Sequence, residues 1–232
     1  MPTYEPTELL YENALESPED VSGWELEGNA GITFPRDRMR LENTDDPETV
    51  DEPHYVFWCP KQFPDEIKIG WDFWPLQQPG LCMIFFAATG VDGEHVLDPN
   101  LDDRSGIYSQ YYDGDINALH GSYFRRNHHG SPKNEIEFQT INLRKSKGFD
   151  LVQRGGDPIP GVVNANPPYR IEVVKYGPEV AFYVDGLEVF HWVDDGESYG
   201  PPLSGGSIGF RQMAPTIGEY AGLTVHAVEK ND

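Results

Sequence analysis

The stretch EIKIGWDFWP, residues 66–75, decides the fold class. Ile67, Ile69, Trp71 and Phe73 alternate with Lys68, Gly70, Asp72 and Trp74, a period of two that buries the first set and leaves Asp72 and Trp74 together on the other face. Strand signals recur on both sides of it. GLCMIFFAA (80–88) is an apolar run expected of a strand covered on both faces, and YRIEVVKY (169–176) and EVAFYVDGLEVFHW (179–192) alternate around Gly-Pro and Asp-Gly turns. GGSIGFRQM (205–213) and AGLTVHAVE (221–229) supply two more strands, expected to close a sheet beside the N-terminal segment. Helical periodicity is confined to ELLYENAL (8–15), read as a turn or two of helix. Three connecting stretches, 41–54, 91–106 and 153–168, exceed the usual length of about two to six residues, and long loops on a rigid scaffold border binding sites. No repeat or linker divides the chain, so residues 1–232 read as a single all-β domain, a two-sheet antiparallel sandwich or jelly roll.

The charge balance narrows the partners. The chain has 39 Asp and Glu against 17 Lys and Arg, a formal net charge of −22, which disfavours nucleic acid and anionic membranes. No apolar run approaches the roughly 18 to 20 residues that span a bilayer, and the N-terminus lacks a basic start and apolar core, so a cytoplasmic protein is expected. Cys59 and Cys82 sit in apolar segments with no metal-ligand spacing and are read as buried, reduced thiols. No P-loop, GxSxG, HExxH or EF-hand pattern occurs; DPNLDD (98–103) is read as an acidic loop rather than a Ca²⁺ site, so neither metal nor cofactor is expected.

Positive charge is nonetheless concentrated. Between His120 and Lys147 stand Arg125, Arg126, Lys133, Arg144, Lys145 and Lys147 against Glu135 and Glu137, with His128 and His129 among them. A cleft of one sign concentrates ligands of the other, so the expected ligand is anionic; the alternative is a solvated basic edge. In GDINALHGSYFRR (114–126), strict alternation separates His120 from Tyr123. A β-bulge at Gly121-Ser122 is expected to reunite His120, Tyr123 and Arg125 on one face. His, Tyr and Arg together suit proton abstraction beside a uronate carboxylate: His120 or Tyr123 moves the proton while Arg125 neutralises the enolate-like dianion. Asn117, Asn142, Arg144, Arg211 and Gln212 are supporting donors, and Trp74, with Trp58 and Tyr112, is a candidate platform for a sugar ring. Arg211 alternates with Ile208 and Phe210 and so points away from the core. Paired carboxylates, Glu135 with Glu137, offer hydrolysis as another route.

The segments FPRDRMRLEN (34–43), YVFWCPKQFPDEIKIGWDFWP (55–75), PGLCMIFFAATG (79–90), YYDGDINALHGSYFRR (111–126), INLRKSKGF (141–149), DPIPG (157–161), PPYRIEVVKYGP (167–178) and SIGFRQMAP (207–215) resemble, in order, blocks of the YesU-like family. The resemblance covers roughly residues 10–228 and implies a concanavalin-A-like jelly roll and a link to the use of uronic-acid glycans, a fold that also hosts hydrolases and lectins. In jelly-roll lyases His, Tyr, Arg and Gln or Asn project from neighbouring strands, types present here at His120, Tyr123, Arg125, Arg211 and Gln212. The expectation is a carbon-oxygen lyase acting on uronic-acid oligosaccharides by β-elimination or dehydration. The alternatives are a glycoside hydrolase using Glu135, Glu137 or Asp72, with Asp72 otherwise a substrate contact, and a binding protein without chemistry. The oligomeric state is left open.

Overall fold

The computed structural model describes residues 2–46, 50, 54–126 and 139–231. Among them, fifteen strands form two sheets: β1 (Thr3–Asn13), β2 (Glu25–Gly28), β3 (Ala30–Thr33), β4 (Met39–Asn43), β5 (His54–Phe63), β6 (Ile67–Gln77), β7 (Gly80–Gly90), β8 (Ile116–Arg126), β9 (Thr140–Ser146), β10 (Asp150–Gly156), β11 (Tyr169–Tyr176), β12 (Glu179–Val184), β13 (Leu187–Val193), β14 (Gly206–Met213) and β15 (Ile217–Asn231). The first sheet runs β13-β12-β11-β6-β15-β4-β3 and the second β10-β9-β8-β7-β14-β5-β2. This is the all-β two-sheet antiparallel sandwich that the alternation implies, of the concanavalin-like kind that the family resemblance implies.

The stretch 66–75 behaves as its period requires. Ile67, Ile69, Trp71 and Phe73 are buried between the sheets, while Lys68, Asp72 and Trp74 are half-buried on the other face. From the second sheet, Tyr55, Phe57, Ile84, Phe86, Leu119 and Phe210 meet them. The Asp-Gly turn joins β12 to β13 with Asp185 and Gly186 at φ of 50° and 76°, the left-handed pair that a tight hairpin needs. Both cysteines are free and buried.

One local expectation fails. ELLYENAL forms no helix: Glu8 to Asn13 belong to β1, which pairs with β15 from Asn231 to Leu223. The reason is tertiary. β4 pairs β15 only over Ile217–Tyr220, so the rest of that edge requires another partner, and backbone pairing outweighs weak local propensity.

The open end of the sandwich is clasped by an ion pair. Lys145 of β9 places Nζ 2.6 Å from Asp194 Oδ2 and donates also to the carbonyls of Gly200 and Pro201 at 2.9 and 2.7 Å, using all three donors. Both side chains are almost wholly buried. Asp194→Ala therefore strands an ammonium without its counter-charge. Denaturant unfolding is expected to show a loss of about 3 to 5 kcal/mol, and a loss within error of zero contradicts the clasp.

Candidate functional site

The outer face of the second sheet is apolar at its centre. Val56, Trp58, Met83, Phe85, Ala118 and Ile116 point away from the main core and pack with Val96 and Tyr111 from the connection 91–115. That connection is held down at the β2 edge: Glu27 accepts from Trp58 Nε1 at 2.8 Å, Tyr111 OH at 2.7 Å and Arg104 Nη2 at 2.8 Å. From the next strand but one, Arg211 donates through Nη1 to Gly106 O at 2.8 Å and lies against the rings of Tyr108 and Tyr111 at 4.7 and 5.2 Å. Its Nη2 is 3.1 Å from His54 Nδ1.

These anchors set Tyr108 over His120. The Tyr108 hydroxyl is 3.0 Å from His120 Nδ1, and His120 Nε2 is 3.1 Å from Ser146 Oγ. Phe85 stacks on the imidazole at a centroid distance of 5.0 Å. With both nitrogens engaged and 1% of its surface exposed, His120 is no direct base for a ligand; it holds Tyr108. Burial, then the charges of Arg144 and Arg211, push the imidazole down to about 3. Burial raises the Tyr108 phenol to about 12 against the opposing pull of Arg211, Arg144 and Arg125.

The arginines form a row. Pairing sets His120 beside Arg144, Ser122 beside Asn142 and Met83, Met83 beside Arg211, and Asn142 beside Arg154. Arg125 donates to Thr140 Oγ1 at 2.8 Å, which in turn donates to Asn142 Oδ1 at 3.0 Å. Burial lowers the Arg125 guanidinium, and Arg154 and Arg144 lower it further, so these cations feel one another. Arg144 stacks on Phe149 at 3.7 Å, and the exposed Phe149 ring meets Tyr112 and Tyr108 at 4.7 and 5.4 Å. At the β2 edge the same face turns acidic: a cavity of 350 Å³ is lined by Glu25, Glu27, Asp98, Asp102, Asp103 and Arg104 among others. An anion is steered toward β8, β9 and β10.

The expected site is thus divided. His120, Arg125, Asn142, Arg144 and Arg211 share this face. Tyr123 does not, because pairing is regular through Gly121, which faces Ile84 and Leu143. The bulge lies three residues on, at Phe124 (φ 46°), where Gly80 to Cys82 oppose Arg126 to Tyr123. Tyr123 therefore stays in the core, 5.6 Å from Trp71 and 5.3 Å from Phe73, while the bulge returns Arg125 to the His120 face. Gln212 is also a core residue: Nε2 donates to Leu41 O and Thr216 O, both at 3.1 Å, and Oε1 accepts from Tyr220. Asn117 alternates to the side opposite His120 and accepts from Lys147 N at 3.4 Å. Asp72 and Trp74 lie on the far side of the sandwich, on the first sheet, where Asp72 pairs with Arg170 and Trp74 carries Arg38. Trp58 is wholly buried. Arg126 is structural, bound to Asp157 Oδ2 at 2.8 Å, and His128, His129, Lys133, Glu135 and Glu137 lie outside the described residues. Tyr108, Phe149 and Arg154 escaped the sequence reading; the aromatic run IYSQYY (107–112) beside a long loop was the available signal. Among the described residues no group of three or more His, Cys, Asp or Glu is placed to hold a metal.

Comparison with known proteins agrees with this architecture. A family model described as a domain of unknown function, DUF1961, matches residues 8–225. The uncharacterized protein YesU of Bacillus subtilis is 48% identical over 223 residues, covering 96% of this chain and 97% of that one. A B. subtilis protein of unknown function with a galectin-like fold superposes with a TM-score of 0.91 at 47% identity, covering 97% and 99% of the two chains. More distant folds include an endo-β-1,3-glucanase from Pyrococcus furiosus (TM-score 0.60, 11% identity, 96% and 95% covered) and carbohydrate binding module CBM66 from B. subtilis (0.53, 11%, 88% and 95%). These neighbours at low identity share the fold.

The imidazole offers a direct check. An unfolded histidine takes up its proton near 6.5 and His120 only near 3, so the unfolded chain binds more protons between those values. The stability tied to neutral His120 is complete above about pH 6.5 and is lost as pH falls toward 3. Ring ¹⁵N shifts are expected to report a neutral His120 at about pH 5, and His120→Asn should flatten the acid limb of the stability curve. A ring that titrates at its ordinary value contradicts the burial.

Proposed function

The chain belongs to the DUF1961 family, and from the geometry of its second sheet we propose that it binds an acidic oligosaccharide and eliminates from it, with Tyr108 moving the proton. One observation carries this reading: the Tyr108 hydroxyl meets His120 Nδ1 at 3.0 Å, with Arg211 against its ring at 4.7 Å and Arg125, Arg144 and Arg154 on the adjoining strands, in a chain of net charge −22. Arg125, Arg144 and Arg154 stand on the neighbouring strands β8, β9 and β10, two strand spacings or about 10 Å across, which suits an oligosaccharide lying over these strands, while Arg211 is buried beneath the connection 91–115. Tyr112 and Phe149 offer apolar faces for its rings. Sugar-binding and sugar-cleaving proteins among the fold neighbours are consistent with a carbohydrate ligand.

Loss of the proton α to a uronate carboxylate leaves an enolate-like dianion, and guanidinium groups beside the carboxylate stabilise it. Tyr108 passes its phenolic proton to His120 Nδ1, and the phenolate oxygen takes the α proton. The C–H electron pair becomes the carbon–carbon double bond as the β C–O bond breaks with its electrons. The departing oxygen takes a proton from Tyr108, and His120 returns the one it held. The products are an unsaturated uronate with a shortened saccharide or water, so cleavage and dehydration share one site. At rest the phenol near 12 and the imidazole near 3 keep the proton on Tyr108. Burial depresses His120 most and the charges of Arg144 and Arg211 add to it; a bound carboxylate offsets that second part, which ties proton transfer to an anionic substrate.

Binding without turnover is the second reading, favoured by the low basicity of His120. Mass spectrometry after incubation with a panel of uronate oligosaccharides separates the two. Elimination and loss of water each leave an unsaturated product, hydrolysis adds water, and binding alone changes no mass. Tyr108→Phe is expected to lower turnover by about 100-fold or more with binding retained, and Arg125→Gln to weaken binding of charged but not neutral saccharides. Full turnover in Tyr108→Phe, or products carrying added water, overturns the assignment.

A further inference from the structure

The opposite face of the sandwich holds a second group of arginines that the chemistry above does not use. Arg36, Arg38 and Arg40 arise from FPRDRMR, where the chain turns into β4 through Arg36 and Asp37 at φ of 60° and 55°. All three converge on Glu219 of β15. Arg36 Nη2 lies 2.5 Å from Oε1, Arg40 donates to the same oxygen from Nε and Nη2 at 3.1 and 2.8 Å, and Arg38 Nη1 is 3.5 Å from Oε2. The Glu219 side chain is fully buried; burial raises its carboxyl, but the hydrogen bonds from Arg36 and Arg40 outweigh that and hold it below its ordinary value.

One guanidinium suffices to neutralise one buried carboxylate. Three leave a surplus of two positive charges in the network, and they are not hidden with it: the Arg36, Arg38 and Arg40 side chains are 56%, 29% and 28% exposed. Register places Trp74 of β6 directly beside Glu219, and the Arg38 guanidinium stacks on that indole at 4.0 Å. The neighbouring Asp72 is paired with Arg170 and adds no net charge. Glu219 thus acts as a buried anchor that holds repelling cations together, with their side chains partly exposed beside a half-buried aromatic ring.

We propose that Arg36, Arg38 and Arg40 beside Trp74 form a second anion site, which takes a carboxylate or sulfate group of a saccharide chain whose ring rests against Trp74. Fork-shaped guanidinium donors match either planar carboxylate or sulfate oxygens, and the indole supplies the apolar contact that a sugar face requires. This site lies across the sandwich from Tyr108 and is independent of the elimination chemistry. Its role is to hold an acidic chain, not to cut it.

The indole N–H resonance of Trp74 reports the site. Full-length protein is titrated with tetragalacturonate, with a sulfated galactan tetrasaccharide and with maltotetraose, and the Arg125→Gln variant is titrated in parallel to remove binding at the other face. The Trp74 signal is expected to move with at least one charged probe in both proteins, less so as salt rises, and to stay still with maltotetraose. The two charged probes tell a carboxylate from a sulfate preference. The double variant Arg36→Gln, Arg38→Gln, which leaves Arg40 on Glu219, should weaken that binding at least about tenfold, as expected for loss of charge-assisted contacts, with thermal midpoint and turnover of short uronates unchanged. A signal unmoved by both charged probes, one moved equally by maltotetraose, or a double variant that binds like the parent overturns the proposal.

Discussion

Glu27, on the short edge strand β2, holds the connection 91–115 across the outer face of the second sheet. It accepts from an indole, a phenol and a guanidinium at once, so one carboxylate ties together Trp58, Tyr111 and Arg104. The need for such a hub comes from the sheet itself, whose outer face presents Val56, Met83 and Phe85 and is not stable bare in water. Covering it with a loop rather than a third layer brings backbone polar groups onto an apolar surface. Arg211 meets part of that requirement by donating to Gly106 O, and it lies against Tyr108 and Tyr111. The site is thus an outcome of how the cover is fastened: Tyr108 faces His120 because the residues on either side of it are tied down.

Charge segregation is the second organising feature. An acidic surface keeps the chain soluble and repels anions in general. Against that background the Arg125, Arg144 and Arg154 end of the second sheet and the Arg36, Arg38 and Arg40 cluster of the first stand out as regions of opposite sign. They are built differently. On the second sheet the cations come from three neighbouring strands and are spread along a line, whereas on the first they are gathered round a single buried carboxylate.

Much of the fold was legible because a period of two is a strong signal when one face is buried and the other is not. Ile67, Ile69, Trp71 and Phe73 show it plainly. The phase of Arg211 was readable for the same reason, since Ile208 and Phe210 sit on the core side. The break of phase in β8 was also readable, but not its position. Glycine is the residue that tolerates an irregular backbone most readily, yet Gly121 pairs regularly and Phe124 takes the positive φ. A phenylalanine accepts that conformation because its ring packs on Phe73 at 5.7 Å and beneath Arg126 at 4.3 Å. Placing the bulge at Phe124 rather than at Gly121 keeps Arg125 on the site face and sends Tyr123 into the core.

By itself the sequence determined the all-β class, several of the strands and their Asp-Gly hairpin, the buried face of strands such as 66–75, and the presence of local positive charge in an acidic chain. These depend on neighbours within a few residues, where alternation and turn chemistry act. Which faces meet was decided only by tertiary structure. Asp72 and Trp74 have the right chemistry for a sugar but belong to the other sheet, and Gln212 was drawn inward to bond Leu41 and Thr216. Tyr108, in a segment with no period to read, joined the site because hydrogen bonds from distant residues hold its loop against β8 and β14. Local pattern sets which way a side chain points along its strand. Long-range packing sets what it points at.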